Sequence, residues 1–125
     1  MKVLHLLKTT SGAAWALKLL KEQVVLGIEV HVVLPDSLGK AKLYKENGCH
    51  VHILDVDLSV KKPWVNFTKS VSLRRLIKSI SPDVVHSHFV GTTLLMRMAM
   101  FGLSIPRIFQ VPGPLHLEHF IFRNL

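Results

Sequence analysis

Apolar runs of strand length alternate with amphipathic stretches along almost the whole chain. Lys2 to Leu7 reads as a strand, and the small residues Thr9 to Gly12 follow it as a turn. Leu17, Leu20 and Val24 then recur at helical spacing within a helix from about Ala13 to Leu26, with Lys18, Lys21 and Glu22 off the stripe. Gly27 ends this helix, because glycine adopts the left-handed conformation without a steric penalty. Glu29 to Leu34 is rich in β-branched residues and closes at Pro35, which predicts a second strand. Lys40 to Asn47 gives a short helix stopped by Gly48, and His50 to Asp55 a third strand. The basic turn Lys61-Lys62-Pro63 precedes a third helix over about Val65 to Ile80. Its Phe67, Val71, Leu76, Ile77 and Ile80 are expected to face the sheet, leaving Lys69, Arg74, Arg75 and Lys78 outward. Pro82 restarts the chain as a strand over Asp83 to His88. A helix over Gly91 to Phe101, stopped by Gly102, and a strand over Arg107 to Val111 complete the series. Strands buried on both faces by crossover helices make a parallel sheet. The pattern therefore predicts an α/β, Rossmann-like fold of about five strands flanked by helices, in a single domain over residues 1–125.

Composition narrows the class. A chain of 125 residues with 49% hydrophobic and 19% charged residues has enough apolar area for one core and is unlike a disordered segment. The single cysteine, Cys49, cannot form an internal disulfide, so a reducing, cytoplasmic setting is expected. Val3 to Leu7 is too short and too interrupted by His5 to be a signal sequence. The most apolar helix, Thr92 to Phe101, is broken by Arg97, so no membrane span is expected. The formal charge of +8 favours anionic partners. No helix-turn-helix, zinc-finger or RNA-binding pattern accompanies it, so nucleic acid ranks last and is not expected as a partner. Lys61, Lys62, Lys69, Arg74, Arg75 and Lys78 form a candidate membrane or anion patch, for which a plain solvated face is the simpler reading. With such a patch, the protein would sit peripherally on the inner face of a membrane. The residues after Pro112 have no companion strand, and the apolar run Phe120 to Leu125 stops without a cap, so the natural chain is expected to continue.

In an open parallel sheet the ligand crevice lies beyond the carboxyl ends of the strands, which directs attention to the loops after strands one, four and five. Thr10, Ser11 and Gly12 are small enough for backbone N–H groups to approach an anion, and an ordinary turn explains them equally well. Neither the dinucleotide fingerprint nor the phosphate-loop lysine is present. His86 and His88 alternate onto one face at the end of strand four. They can bind a metal, hydrogen-bond sugar hydroxyls or satisfy buried polar atoms. Without Asp or Cys nearby, metal is the least favoured of these, and no metal or cofactor is expected. His116 and His119 share a helix face beyond the rigid Pro112-Gly113-Pro114 turn, while His5, His31, His50 and His52 read as core or edge residues.

Three segments together resemble the N-terminal domain of retaining glycosyltransferases of family 4. They are the first strand with its Ser-Gly turn; Leu26-Gly27-Ile28-Glu29-Val30-His31-Val32-Val33; and above all Ser81-Pro82-Asp83-Val84-Val85-His86-Ser87-His88, which is similar to that family's Pro-Asp-Val-Val-His-x-His segment. The resemblance implies one half of a GT-B architecture: an acceptor-side domain lying before a donor-binding domain that carries a Glu-x7-Glu motif. It implies transfer of a hexose-type sugar from a nucleoside diphosphate sugar, with retention and no obligatory metal, to a polysaccharide or lipid-linked acceptor. Thr10, Ser11 and Gly12 then fall at the donor phosphates and His86 and His88 on the acceptor side; His116 and His119 are acceptor-side and catalytic candidates by proximity only, having no direct match in the family pattern. Two departures stand out. The family's paired glycines are reduced here to Gly12-Ala13-Ala14, and its His-Gly after strand five is Pro112-Gly113. The 125-residue chain alone is expected to be inactive. The rival reading is a non-catalytic acceptor- or membrane-binding subunit that recruits a catalytic partner. A phosphorylation-receiver domain is a third, but it would need acidic residues where Leu7, Lys8 and Thr9 stand.

Overall fold

A computed structural model describes residues 1–8 and 14–110. Strands and helices follow one another as β1 (Lys2–Leu6), α1 (Ala14–Val25), β2 (Glu29–Leu34), α2 (Ala41–Glu46), β3 (His50–Ile53), α3 (Pro63–Ile80), β4 (Val84–His88), α4 (Val90–Ala99) and β5 (Arg107–Gln110). The strands form one parallel sheet in the order β3-β2-β1-β4-β5, with His5 of β1 level with Val32 on one side and His86 on the other.

Strand alternation divides the core into two layers. Leu4, Leu6, Val33 and Val85 point to one face and pack with Leu73 and Ile77 of α3 and Leu95 and Met96 of α4. Leu7, Val30, Val32 and Leu34 point to the other, against Ala16 and Leu20 of α1 and Ala41 and Tyr44 of α2. Each fully buried leucine contributes about 1.5–3 kcal/mol of transfer free energy, so the alternation fixes which side chains each strand buries. Gly27 closes α1 at φ +87°, as its sequence position requires.

The third helix departs from the expected phase. It begins at Pro63, whose missing N–H and fixed φ suit a first helical position, and its buried stripe is Asn66, Ser70, Leu73, Ile77 and Ile80. Phe67, expected to face the sheet, is 70% exposed. Polar Asn66 holds the inner position because its amide clamps the backbone of Ser59: Oδ1 accepts from Ser59 N at 2.7 Å and Nδ2 donates to Ser59 O at 2.9 Å. Two of the basic residues expected to point outward also turn in. Lys69 Nζ donates to Asp55 Oδ2 at 3.0 Å and to Asp57 O at 2.8 Å, and Arg74 Nη1 donates to Ala99 O at 3.1 Å and Phe101 O at 2.6 Å. These two cations cap carbonyls that the loop after β3 and the end of α4 leave open. Lys61, Lys62, Arg75 and Lys78 stay exposed.

Candidate functional site

After β3 the chain crosses back over β2 and β1 to lay β4 on the far side of β1, so strand order reverses between β1 and β4. A ligand crevice forms beyond the carboxyl ends of strands at such a point. The described residues at these strand ends are Leu7 and Lys8 after β1, Trp15 on α1, and His88 and Phe89 at the end of β4, with Leu7 and His88 buried beneath the others. Thr10, Ser11 and Gly12, and likewise His116 and His119, lie outside the described residues.

His86 and His88 share one face of β4 as expected, their rings stacked at 4.2 Å between centroids. A third histidine joins them. His5 of β1, read from sequence as a core or edge residue, is fully buried and bonds His88, its Nδ1 lying 3.0 Å from His88 Nε2. Its other nitrogen, Nε2, lies 2.7 Å from Gln23 Oε1 on α1.

This chain of contacts sets the tautomers. The Gln23 oxygen can only accept, so His5 carries its proton on Nε2 and presents a lone pair at Nδ1. His88 must then donate from Nε2, which leaves the lone pair of His88 on Nδ1. That nitrogen is buried and has no hydrogen-bond partner among the described residues. Both rings stay uncharged at neutral pH. Burial, above all, drives His5 down to about 4, against the Gln23 hydrogen bond and with help from His86; burial and then the charges of His86 and His5 drive His88 to about 2. The fold thus holds an uncharged, buried acceptor nitrogen beside the Trp15 ring, whose centroid is 5.1 Å from that of His88.

The turn that carries His88 is built tightly. Phe89 holds φ 79° and ψ 157°, a conformation costly for a residue with a side chain and commonest where a site requires it. Thr92 and Thr93 donate back to Phe89 O at 3.0 and 2.7 Å, Thr92 also bonds His88 O, and Ser87 meets Thr93 at 2.7 Å. Gly91 is needed for a close approach: a Cβ there would come within 2.0 Å of Asp57 Oδ1, so the loop after β3 seats directly on the first turn of α4. Lys8 Nζ stands 4.7 Å over the Phe89 ring, placing a cation at the mouth of the crevice. The sequence pattern did not single out Lys8; His5 is buried, as expected of a core residue, and joins the group because the strand order β2-β1-β4 brings it level with His86. Cys49 is buried and its thiol pushed up to about 11 by burial, which excludes it as a nucleophile at neutral pH.

The family model described as Glycosyltransferase Family 4 matches residues 12–124. No curated protein sequence matches. Among solved structures, MurG of Acinetobacter baumannii superposes with a TM-score of 0.70 at 17% identity, covering 94% of this chain and 38% of that one. The calicheamicin glycosyltransferase CalG4 gives a TM-score of 0.65 at 15% identity over 98% of this chain and 37% of its own. The glycotransferase of kitacinnamycin gives 0.64 at 18% identity, over 98% and 33% respectively. At these identities the likeness concerns the fold, a Rossmann-like half shared with GT-B glycosyltransferases. The chain spans only 33–38% of the length of these structures.

Proposed function

The chain belongs to Glycosyltransferase Family 4, and from that premise we propose that it is the acceptor-side, N-terminal half of a transferase that moves a sugar from a nucleoside diphosphate donor to a glycan or lipid-linked acceptor. The observation that carries this reading is the Gln23–His5–His88 chain, which holds one acceptor nitrogen ready for a donor group. A sugar hydroxyl is such a donor. At about 2 the basicity of His88 is too low to take up the proton, so His88 orients the hydroxyl and the leaving diphosphate receives its proton as the C1–oxygen bond to the donor breaks and that to the acceptor forms. The loop of Thr10, Ser11 and Gly12 faces the donor phosphates, His116 and His119 complete the acceptor side, and a second domain beyond residue 125 holds the nucleotide. No resident metal or cofactor takes part. The test is a transfer assay with a panel of labelled nucleoside diphosphate sugars. The natural protein with both halves should form glycosylated product and the 125-residue chain none; absence of transfer by both would favour an acceptor-binding subunit.

The acceptor class draws on a surface feature of the same edge. Val60, Trp64 and Phe67 are 86%, 70% and 70% exposed, and Lys61 and Lys62 stand among them. This patch opens α3, just beyond the loop that packs on Gly91, so it borders the crevice. Aromatic rings flanked by lysines suit the interface of an anionic bilayer, which supports peripheral attachment and a lipid-linked acceptor. No helix among the described residues is long and apolar enough to cross a membrane. In co-sedimentation with phosphatidylglycerol-containing vesicles, the double change Trp64→Ser, Phe67→Ser should weaken binding at least about tenfold. Equal binding by this variant would rule the patch out.

A further inference from the structure

The second group of histidines lies at the opposite end of the sheet. Glu29 and His31 of β2 and His50 and His52 of β3 project from the same sheet face, on two adjacent strands, with His31 level with His50. His31 is buried, while Glu29 and His50 are exposed. His31 Nε2 lies 2.7 Å from Glu29 Oε2, and its Nδ1 lies 2.9 Å from His52 Nε2. The His31 and His50 rings stack at 4.6 Å between centroids. One ligand atom from each of Glu29, His31 and His50 falls within 4.8 Å of the other two.

We propose that Glu29, His31 and His50 bind one divalent transition-metal ion of the zinc class, clipping the edge strand β3 to β2. Two imidazoles and a carboxylate are a ligand set that suits such an ion, with ligand bonds of about 2.0–2.2 Å and a fourth position left to water. Tetrahedral ligation at that length sets ligand atoms about 3.3 Å apart, so the site must tighten. The exposed ring of His50 is the part able to swing in. The ion takes the place of the proton now shared between Glu29 and His31. As it occupies the Nε2 lone pair, the ring proton of His31 moves to Nδ1 and donates to His52 Nε2, whose own proton passes to the other ring nitrogen of His52; this is the orienting contact that a ligating histidine needs. Lys2 Nζ, 3.6 Å from Glu29 Oε2, is the competing cation, and its hydrogen bond to Ile80 O at 2.8 Å holds it when Glu29 turns to the ion.

The crevice trio of His5, His86 and His88 also gathers three ligand atoms, yet it suits an ion poorly. His5 and His88 are wholly buried and the trio contains no carboxylate, so a dication there would be desolvated without a compensating charge. The β2–β3 group supplies both the carboxylate and an opening to water.

Calorimetric titration of this chain with ZnCl2 at pH 7.5 tests the proposal. Binding of one equivalent is expected, weakened at least about tenfold by Glu29→Gln and by His50→Ala, and by about tenfold in His52→Ala. Glu29 and His50 are exposed, so both variants should keep the wild-type circular dichroism. The proposal is overturned by no binding, by binding that survives both changes, or by binding lost only when His86, His116 or His119 is replaced.

Discussion

Moving the chain from pH 7.5 to 5.0 should cost it about 4 kcal/mol of folding stability, roughly 2 kcal/mol from each of His5 and His88. Both groups are buried and uncharged in the fold, at about 4 and about 2, whereas in the unfolded chain each titrates near 6.5. Below 6.5 the unfolded state binds protons that the native state refuses, so stability falls as pH falls. The His5 contribution levels off near pH 4; that of His88 continues toward pH 2. A loss of this size is a large share of the 5–15 kcal/mol that holds a typical domain folded. Urea titrations at the two pH values, followed by circular dichroism, measure it directly. Replacing His88 with Gln should remove about half the difference. A stability that changes by less than about 0.5 kcal/mol over this range would mean that the two rings are open to water or already charged.

In a protein that joins this chain to the proposed donor-binding half, His88→Ala should lower kcat/KM for the acceptor by about 10- to 100-fold while leaving the KM for the donor sugar nucleotide within about twofold. The first figure is the cost of leaving a buried hydroxyl without its partner, about 1–3 kcal/mol. The second follows from placing the nucleotide on the other domain. Gln23→Leu should have a smaller effect in the same direction, because it frees the His5 tautomer and lets His88 present an N–H where it now presents a lone pair. Steady-state kinetics with each substrate varied in turn would separate these effects. A purely structural role for His88 would lower the melting temperature and leave the two specificity constants in their original ratio.

Much of this could be read in the chain, for reasons that lie in particular residues. The β-branched run at Val30 to Leu34 is buried on both faces, Val85 lies in the core, and Gly27 stands where a left-handed residue must end α1. Local pattern therefore sufficed for the strand–helix order, and the Pro-Asp-Val-Val-His-Ser-His segment led to the family. The inner face of α3 was not legible in that way. Hydrophobicity favoured Phe67, but the hydrogen bonds between Asn66 and Ser59 rotate the helix and leave Phe67 in solvent. Lys69 and Arg74 likewise satisfy carbonyls of segments far along the chain, which periodicity cannot register. The crevice was half legible. His86 and His88 announce themselves by alternation, whereas His5 becomes their neighbour only once β4 is known to pair with β1. The tautomer of His88 depends on Gln23, 65 positions earlier and on another element.

The proposed assignment of this chain to the acceptor side is tested most directly by calorimetric titration with nucleoside diphosphate sugars, run in parallel on the 125-residue chain and on a protein that joins it to the proposed donor-binding domain. The account predicts no measurable binding by the chain alone and saturable binding of one donor by the two-domain protein. Tight binding by the chain alone would contradict it, and would move the nucleotide site to the crevice between Lys8 and His88.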